Sequence, residues 1–254
     1  MISWRTITAA PLAFILMLTP RLPVTAAEIN VFCSSGISEV IDELGPRFEQ
    51  MTGHKLVVRF DFAGPLIRAI DADQPFDVTI LSTGTDDLIK RGRIDAASRM
   101  VIGRTGLGIG VRQGQSRPDI STTEAFKRTM LDARSVAHGS ESLTGSYFLK
   151  LFDRLGISEE MKPKLKSYGS GAAGEAVARG EAELLMTGIS PILKARGVEL
   201  VGWLPAELQT YATFLGGVGT AAKEADAGRA LLKFLTAPAY AGVLKSKGLE
   251  PVIR

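Results

Sequence analysis

The sequence predicts an α/β protein of two units, each a mainly parallel sheet flanked by helices. Three observations carry this. Strand-like and helix-like runs alternate along most of the chain. Five strand ends open into Ser/Thr/Gly or Gly/Pro turns: SSG, DFAGP, STGTD, SLTGS and TGIS. The alternation also begins afresh near residue 107, as if a second half repeated the grammar of the first.

Residues 29–32 read as the first strand. Ile37, Val40, Ile41, Leu44, Phe48 and Met51 then recur at helical spacing until Gly53 stops them. Residues 56–60 form a second strand, and DFAGP leads into a helix carrying Leu66, Ile67 and Ile70. Residues 77–81 are a buried strand closed by Ser82, Thr83, Gly84 and Thr85. In the second half, 107–111 read as a strand and 122–131 as a helix, and the short strand 135–137 ends in HGSESLTGS. Tyr147, Phe148, Leu151, Phe152 and Leu155 share one helical face. Lys162, Lys164 and Lys166 read as a solvated connection between helices, and SYGSGAAG opens a further helix. Strands at 184–186, 198–201 and 212–218 and helices at 225–236 and 239–247 complete the chain.

The first 26 residues stand apart from this pattern. Arg5 is followed by an apolar run too short to span a bilayer and then by the small-residue site Val24-Thr25-Ala26, the arrangement of a secretory leader cut near Ala26 or Ala27. The expected product is exported to the periplasm. Loss of residues 1–26 removes Arg5 and Arg21, leaving 28 basic against 27 acidic residues, so the high isoelectric point does not mark a nucleic-acid binder. One cysteine, Cys33, allows no internal disulfide; with only His54 and His138 beside it, the usual zinc spacings are excluded and no metal is expected. No cofactor is expected either. Gly169-Ser170-Gly171-Ala172-Ala173-Gly174 is a literal GxGxxG, but it follows the lysine-rich KPKLKSY and no acid stands in the corresponding later stretch, so it is read as a helix start in which Ser170 faces a ligand. A GxSxG elbow is missing.

Candidate ligand contacts come from the turns. In open α/β sheets, ligands bind outside the carboxyl ends of the strands, where helix starts supply oriented N–H donors. Ser34, Ser35 and Gly36; Phe62, Ala63 and Gly64; Ser82 and Thr83; Thr144, Gly145 and Ser146; Ser170; and Thr187 occupy such places. The same residue types also cap helices and make turns, so each alone has a structural explanation. His138, beside Gly139 and Ser140, has three open roles: hydrogen-bond donor, base or cap. Arg104, in IGRTG, is a candidate fork for a carboxylate, or an exposed strand-start charge.

The stretches VFCSSGISEVIDELGPRFEQMTGH, PLIRAIDADQPFDVTIL, GSYFLKLFDRLGI, VARGEAELLMTGIS, GVELVGWLPAELQ and ALLKFLTAPAYAGVLKSKGLEPV together resemble periplasmic solute-binding proteins of the molybdate-binding type, which serve ABC importers. The resemblance implies the two-lobed periplasmic-binding-protein architecture, with two hinge crossings near 103–108 and 211–216. Lobe 1 would hold residues 27–105 and 214–254, and lobe 2 residues 106–213. A small anion would sit in the cleft, a monomer would present it to an inner-membrane permease, and nucleic acid would have no part. The chain departs from the molybdate pattern at three places. Gly36 stands where a ligand serine is expected, DFAGP carries no hydroxyl, and Thr187 replaces a tyrosine. These departures point to a small organic carboxylate rather than molybdate, with Phe62 packing on carbon. Proteins resembling this family also include an isomerase that shifts the double bond of the tricarboxylate aconitate, with His138 or Asp61 as conceivable bases.

Overall fold

A computed structural model describes residues 26–251. The leader expected over residues 1–26 lies outside them except for Ala26.

The chain opens with β1 (Glu28–Ser34), whose apolar side chains are buried, and α1 (Ser38–Thr52), which ends at Gly53 in the left-handed region with φ 78°. β2 (Lys55–Asp61), α2 (Ala63–Asp71), β3 (Val78–Leu81) and α3 (Thr85–Lys90) follow. The long β4 (Met100–Arg112) leads into α4 (Thr123–Asp132), β5 (Val136–Gly139), α5 (Leu143–Leu155) and the short α6 (Ser158–Met161). Next come β6 (Leu165–Tyr168), α7 (Ala172–Ala178), β7 (Leu184–Gly188), α8 (Ile189–Lys194) and β8 (Val198–Trp203). β9 (Tyr211–Val218), α9 (Ala225–Leu235) and α10 (Ala241–Ser246) end the described chain.

The strands run in the order β2-β1-β3-β9-β4-β7-β5-β6, with β8 also on β4. β1 is parallel to β2 and β3, whereas β9 is antiparallel to β3 and β4. β4 belongs to both halves. Met100 to Gly106 pair with β9, and Leu107 to Val111 pair with β7, each antiparallel. At the change of partner, the Gln209 side chain substitutes for a strand: its Oε1 accepts the Leu107 N–H at 2.8 Å, and its Nε2 donates to the Leu107 carbonyl at 3.0 Å. The backbone of the crossing therefore keeps its hydrogen bonds. β5, parallel to β6 and β7, completes the second lobe.

Each lobe is covered by helices on both faces. In lobe 1, Val40, Leu44 and Phe48 of α1 meet Leu231 and Leu235 of α9 on one face, while Leu66 and Ile70 of α2 pack with Leu88 on the other. In lobe 2, Phe126, Phe148 and Phe152 fill one face, and Val177 and Ile192 the other. One segment corrects the sequence expectation: the lysine-rich connection contains β6, which pairs with β5 from Val136↔Leu165 to Gly139↔Tyr168. The GxGxxG stretch therefore does follow a strand, although that strand is polar and lies at the edge.

Candidate functional site

The carboxyl ends of six strands converge on one cavity of about 680 Å³ between the lobes. β1, β2 and β3 deliver Ser34, Phe62 and Ser82 from lobe 1; β5, β6 and β7 deliver Gly139, Gly169 and Thr187 from lobe 2. α1, α2 and α5 begin at these ends, so the partial positive charge of three helix N-termini faces the same space.

Of the candidates named from sequence, Ser34, Ser35, Gly36, Phe62, Ala63, Ser82, Thr144, Ser170 and Thr187 line the cavity. Ser34 is 3% exposed, and its Oγ accepts the Ser82 N–H at 3.1 Å, tying the turns after β1 and β3 together. That bond leaves the Ser34 O–H free to donate. Ser142 caps α5 by accepting the Gly145 N–H at 2.9 Å, and it donates to the Gly139 carbonyl at 3.1 Å, which presents Thr144 at the cavity wall.

The remaining candidates stand elsewhere. Thr83 is exposed, and Ser146 is exposed with its Oγ donating to the Ser142 carbonyl at 3.2 Å. Gly64 lies beside the Arg68 and Glu141 side chains. Gly145 is buried against the end of β5, where an added β-carbon would come within 2.4 Å of the Gly139 carbonyl. Arg104 is outside the cavity: it pairs with Glu250 at 2.7 Å and lies 4.2 Å over the Tyr211 ring. His138, 4% exposed, sits behind the wall, with Nδ1 3.1 Å from the Gly139 carbonyl and Nε2 3.0 Å from Ser167 Oγ. Asp61, a conceivable base from sequence, also stays out of the cavity wall and accepts the Phe62 N–H at 2.8 Å.

Burial holds the His138 imidazole below its ordinary value of 6.5, with the hydrogen bond to Gly139 partly opposing. As the pH falls below 6.5, the unfolded chain takes up a proton that the folded protein resists, so folded-state stability is lost through that window. We expect the thermal midpoint to drop between pH 7 and pH 5.5 and His138→Asn to flatten that drop. An identical pH profile in the variant would remove His138 from the account. Burial likewise pushes the Cys33 thiol up, which leaves it a packed thiol and not a nucleophile.

The absence of a hydroxyl at position 36 has a packing cause. A β-carbon on Gly36 would come within 2.9 Å of Cζ of Phe214, whose ring is 1% exposed and lines the cavity. Gly36→Ser is therefore expected to cost about 1–3 kcal/mol by overpacking and to gain no affinity for molybdate. Adding Phe214→Leu should recover part of the loss in thermal unfolding. A fully stable Gly36→Ser protein would show that the ring yields freely.

Sequence reasoning missed the charged rim. Arg179, Lys194 and Arg196 of lobe 2 all line the cavity, and Glu175 is the one acid among its lining residues. Arg179 is bound to Glu181 at 2.6 Å, whereas Arg196 makes no ion pair among the described residues. Pro191 and Lys194 stand three apart on α8, and both line the cavity together with Thr187 of β7 and Ala195 just past the helix. Among the described residues no cluster of metal-ligating side chains occurs, and no helix is long and apolar enough to cross a membrane.

A ligand cleft between two α/β lobes, walled by turns at strand ends and crossed by adjacent strands, is the architecture of the solute-binding proteins. The chain belongs to the bacterial extracellular solute-binding protein family, whose sequence model matches residues 29–250. It is 32% identical to an aconitate isomerase of a Pseudomonas species over 94% of each chain. It is 26% identical to a molybdate-binding protein of Azotobacter vinelandii, over 88% of this chain and 90% of that one. The solved structure of the periplasmic molybdate-binding protein of the same organism shares the fold with a TM-score of 0.75 at 16% identity, covering 89% of this chain and 99% of that chain.

Proposed function

We propose that the protein is exported and that its cleft captures a small organic polycarboxylate, a tricarboxylate of the aconitate class, for delivery to an ABC permease. One observation carries this: the hydroxyl and N–H turns of both lobes and the three cations Arg179, Lys194 and Arg196 surround the same cavity of about 680 Å³. A compact tetrahedral oxyanion needs only the turns, whereas several carboxylates spread over a carbon skeleton need separated positive groups and an apolar wall. Phe60, Phe62 and Phe214 supply that wall. Closure is a hinge motion of residues 27–105 with 214–254 against residues 106–213, carried by β4 and β9.

Calorimetric titration of the chain from residue 27 with cis-aconitate, trans-aconitate, citrate, molybdate and sulfate tests the reading. Binding of a tricarboxylate with no heat from molybdate is expected; saturable molybdate binding alone would overturn it.

The likeness to an aconitate isomerase favours a second reading on the same site. Moving a double bond requires one group to take a proton from the methylene carbon beside a carboxylate and another, or the same one, to return a proton to the far alkene carbon. The cations would hold the carboxylates while charge builds up. Glu175 lines the cavity but is paired with Arg179 at 3.5 Å, and His138 lies behind the wall, so binding stands first. Proton NMR of trans-aconitate incubated with the purified protein decides between them: appearance of the cis isomer assigns the enzyme, and unchanged acid with measurable binding assigns the carrier.

A further inference from the structure

Ion pairs join the lobes at two places. Arg68 of α2 meets Glu141, beyond β5, at 2.7 Å, and neither residue lines the cavity. Lys194, the last residue of α8 in lobe 2, is different. Its ammonium reaches across to α1 in lobe 1, 2.7 Å from Asp42 Oδ2 and 2.8 Å from Ser38 Oγ, with Glu39 Oε1 at 3.9 Å, beyond hydrogen-bond distance, and it stands 5.9 Å from the centre of the Phe60 ring. Lys194, Ser38 and Phe60 all line the cavity, so the charge lies in its wall.

An ammonium has three donors. Ser38 and Asp42 take two of them. From this geometry we infer that Lys194 is a clasp completed by the ligand: two donors hold lobe 1, and the third receives a carboxylate of the bound anion. The inference rests on the polycarboxylate reading above and deepens it by naming the residue that couples binding to closure. An anion at the third donor adds negative charge beside an ammonium already held between the lobes, so ligand and lobe 1 reinforce the same position of α8. A neutral ligand would gain nothing from this site.

The test compares wild type, K194M, D42N and R68M by titration with citrate and trans-aconitate and by small-angle scattering with and without the acid. K194M is expected to lose about 10–100-fold in affinity, the size of a hydrogen bond between charged groups. Its binding should also become less sensitive to salt. D42N, which keeps the ammonium, should lose far less affinity while its ligand-free radius of gyration increases. R68M should widen the ligand-free protein without changing the salt dependence of binding. Equal losses in K194M and D42N would reduce Lys194 to a lobe tether and overturn the inference, as would unchanged affinity in K194M. Wild-type protein that takes neither acid would overturn the polycarboxylate reading, and this inference with it.

Discussion

Asp77→Ala is expected to lower the thermal midpoint by about 6–12 °C, the equivalent of roughly 3 kcal/mol or more in a chain of this size. Asp77, just before β3 and 3% exposed, accepts hydrogen bonds from three backbone N–H groups: Asn30 at 2.8 Å, Lys223 at 2.8 Å and Glu224 at 3.0 Å. The first belongs to β1 and the other two to the approach to α9. Glu224, the residue before α9, makes no capping bond with its own side chain, so Asp77 supplies the cap from across the fold. Alanine would leave those donors without a partner in a site that excludes water, and such groups cost more than the bond itself is worth. Asp77→Asn keeps one acceptor oxygen but places an amide N–H₂ where the second stood, so an intermediate loss should follow. A shift under about 2 °C for the alanine variant would contradict this account.

The framework was legible because its signals are local. The change from an apolar strand to SSG and then to helical spacing requires only the residues between Val31 and Ile41, and the structure follows it through β1 into α1. β6 was hidden for a physical reason: it pairs on one side only, with β5, and an edge strand tolerates lysines that a central strand would not. Arg104 misled for the opposite reason. Its local sequence suggests a free fork, yet its partner, Glu250, stands 146 residues later. Pairings at that distance leave no trace in a single sequence. Lys194 and Arg196 left no such trace: they stand at the end of α8 and just past it, and a helix of six residues is too short to show a period in the sequence.

Ser34→Ala is expected to weaken tricarboxylate binding by about 10–100-fold, the range for a hydrogen bond to a charged group. Ser34 is placed for this because the Ser82 N–H already occupies its oxygen as acceptor, which fixes the hydroxyl and leaves its proton to donate at the cavity wall. The substitution also frees the Ser82 N–H, so the turn after β3 loses its tie to the turn after β1. Affinity should fall more than stability does, since the lost donor acts on an anion while the lost tie joins two neutral groups. Arg104→Met offers the contrast. Its guanidinium is engaged by Glu250 outside the cavity, so binding should stay within about twofold of wild type, a difference below 0.5 kcal/mol. The two variants together separate a built anion site from a general attraction of positive charge. A Ser34→Ala protein that binds as wild type does, beside an Arg104→Met protein that binds poorly, would move the site away from the strand ends and toward the crossing.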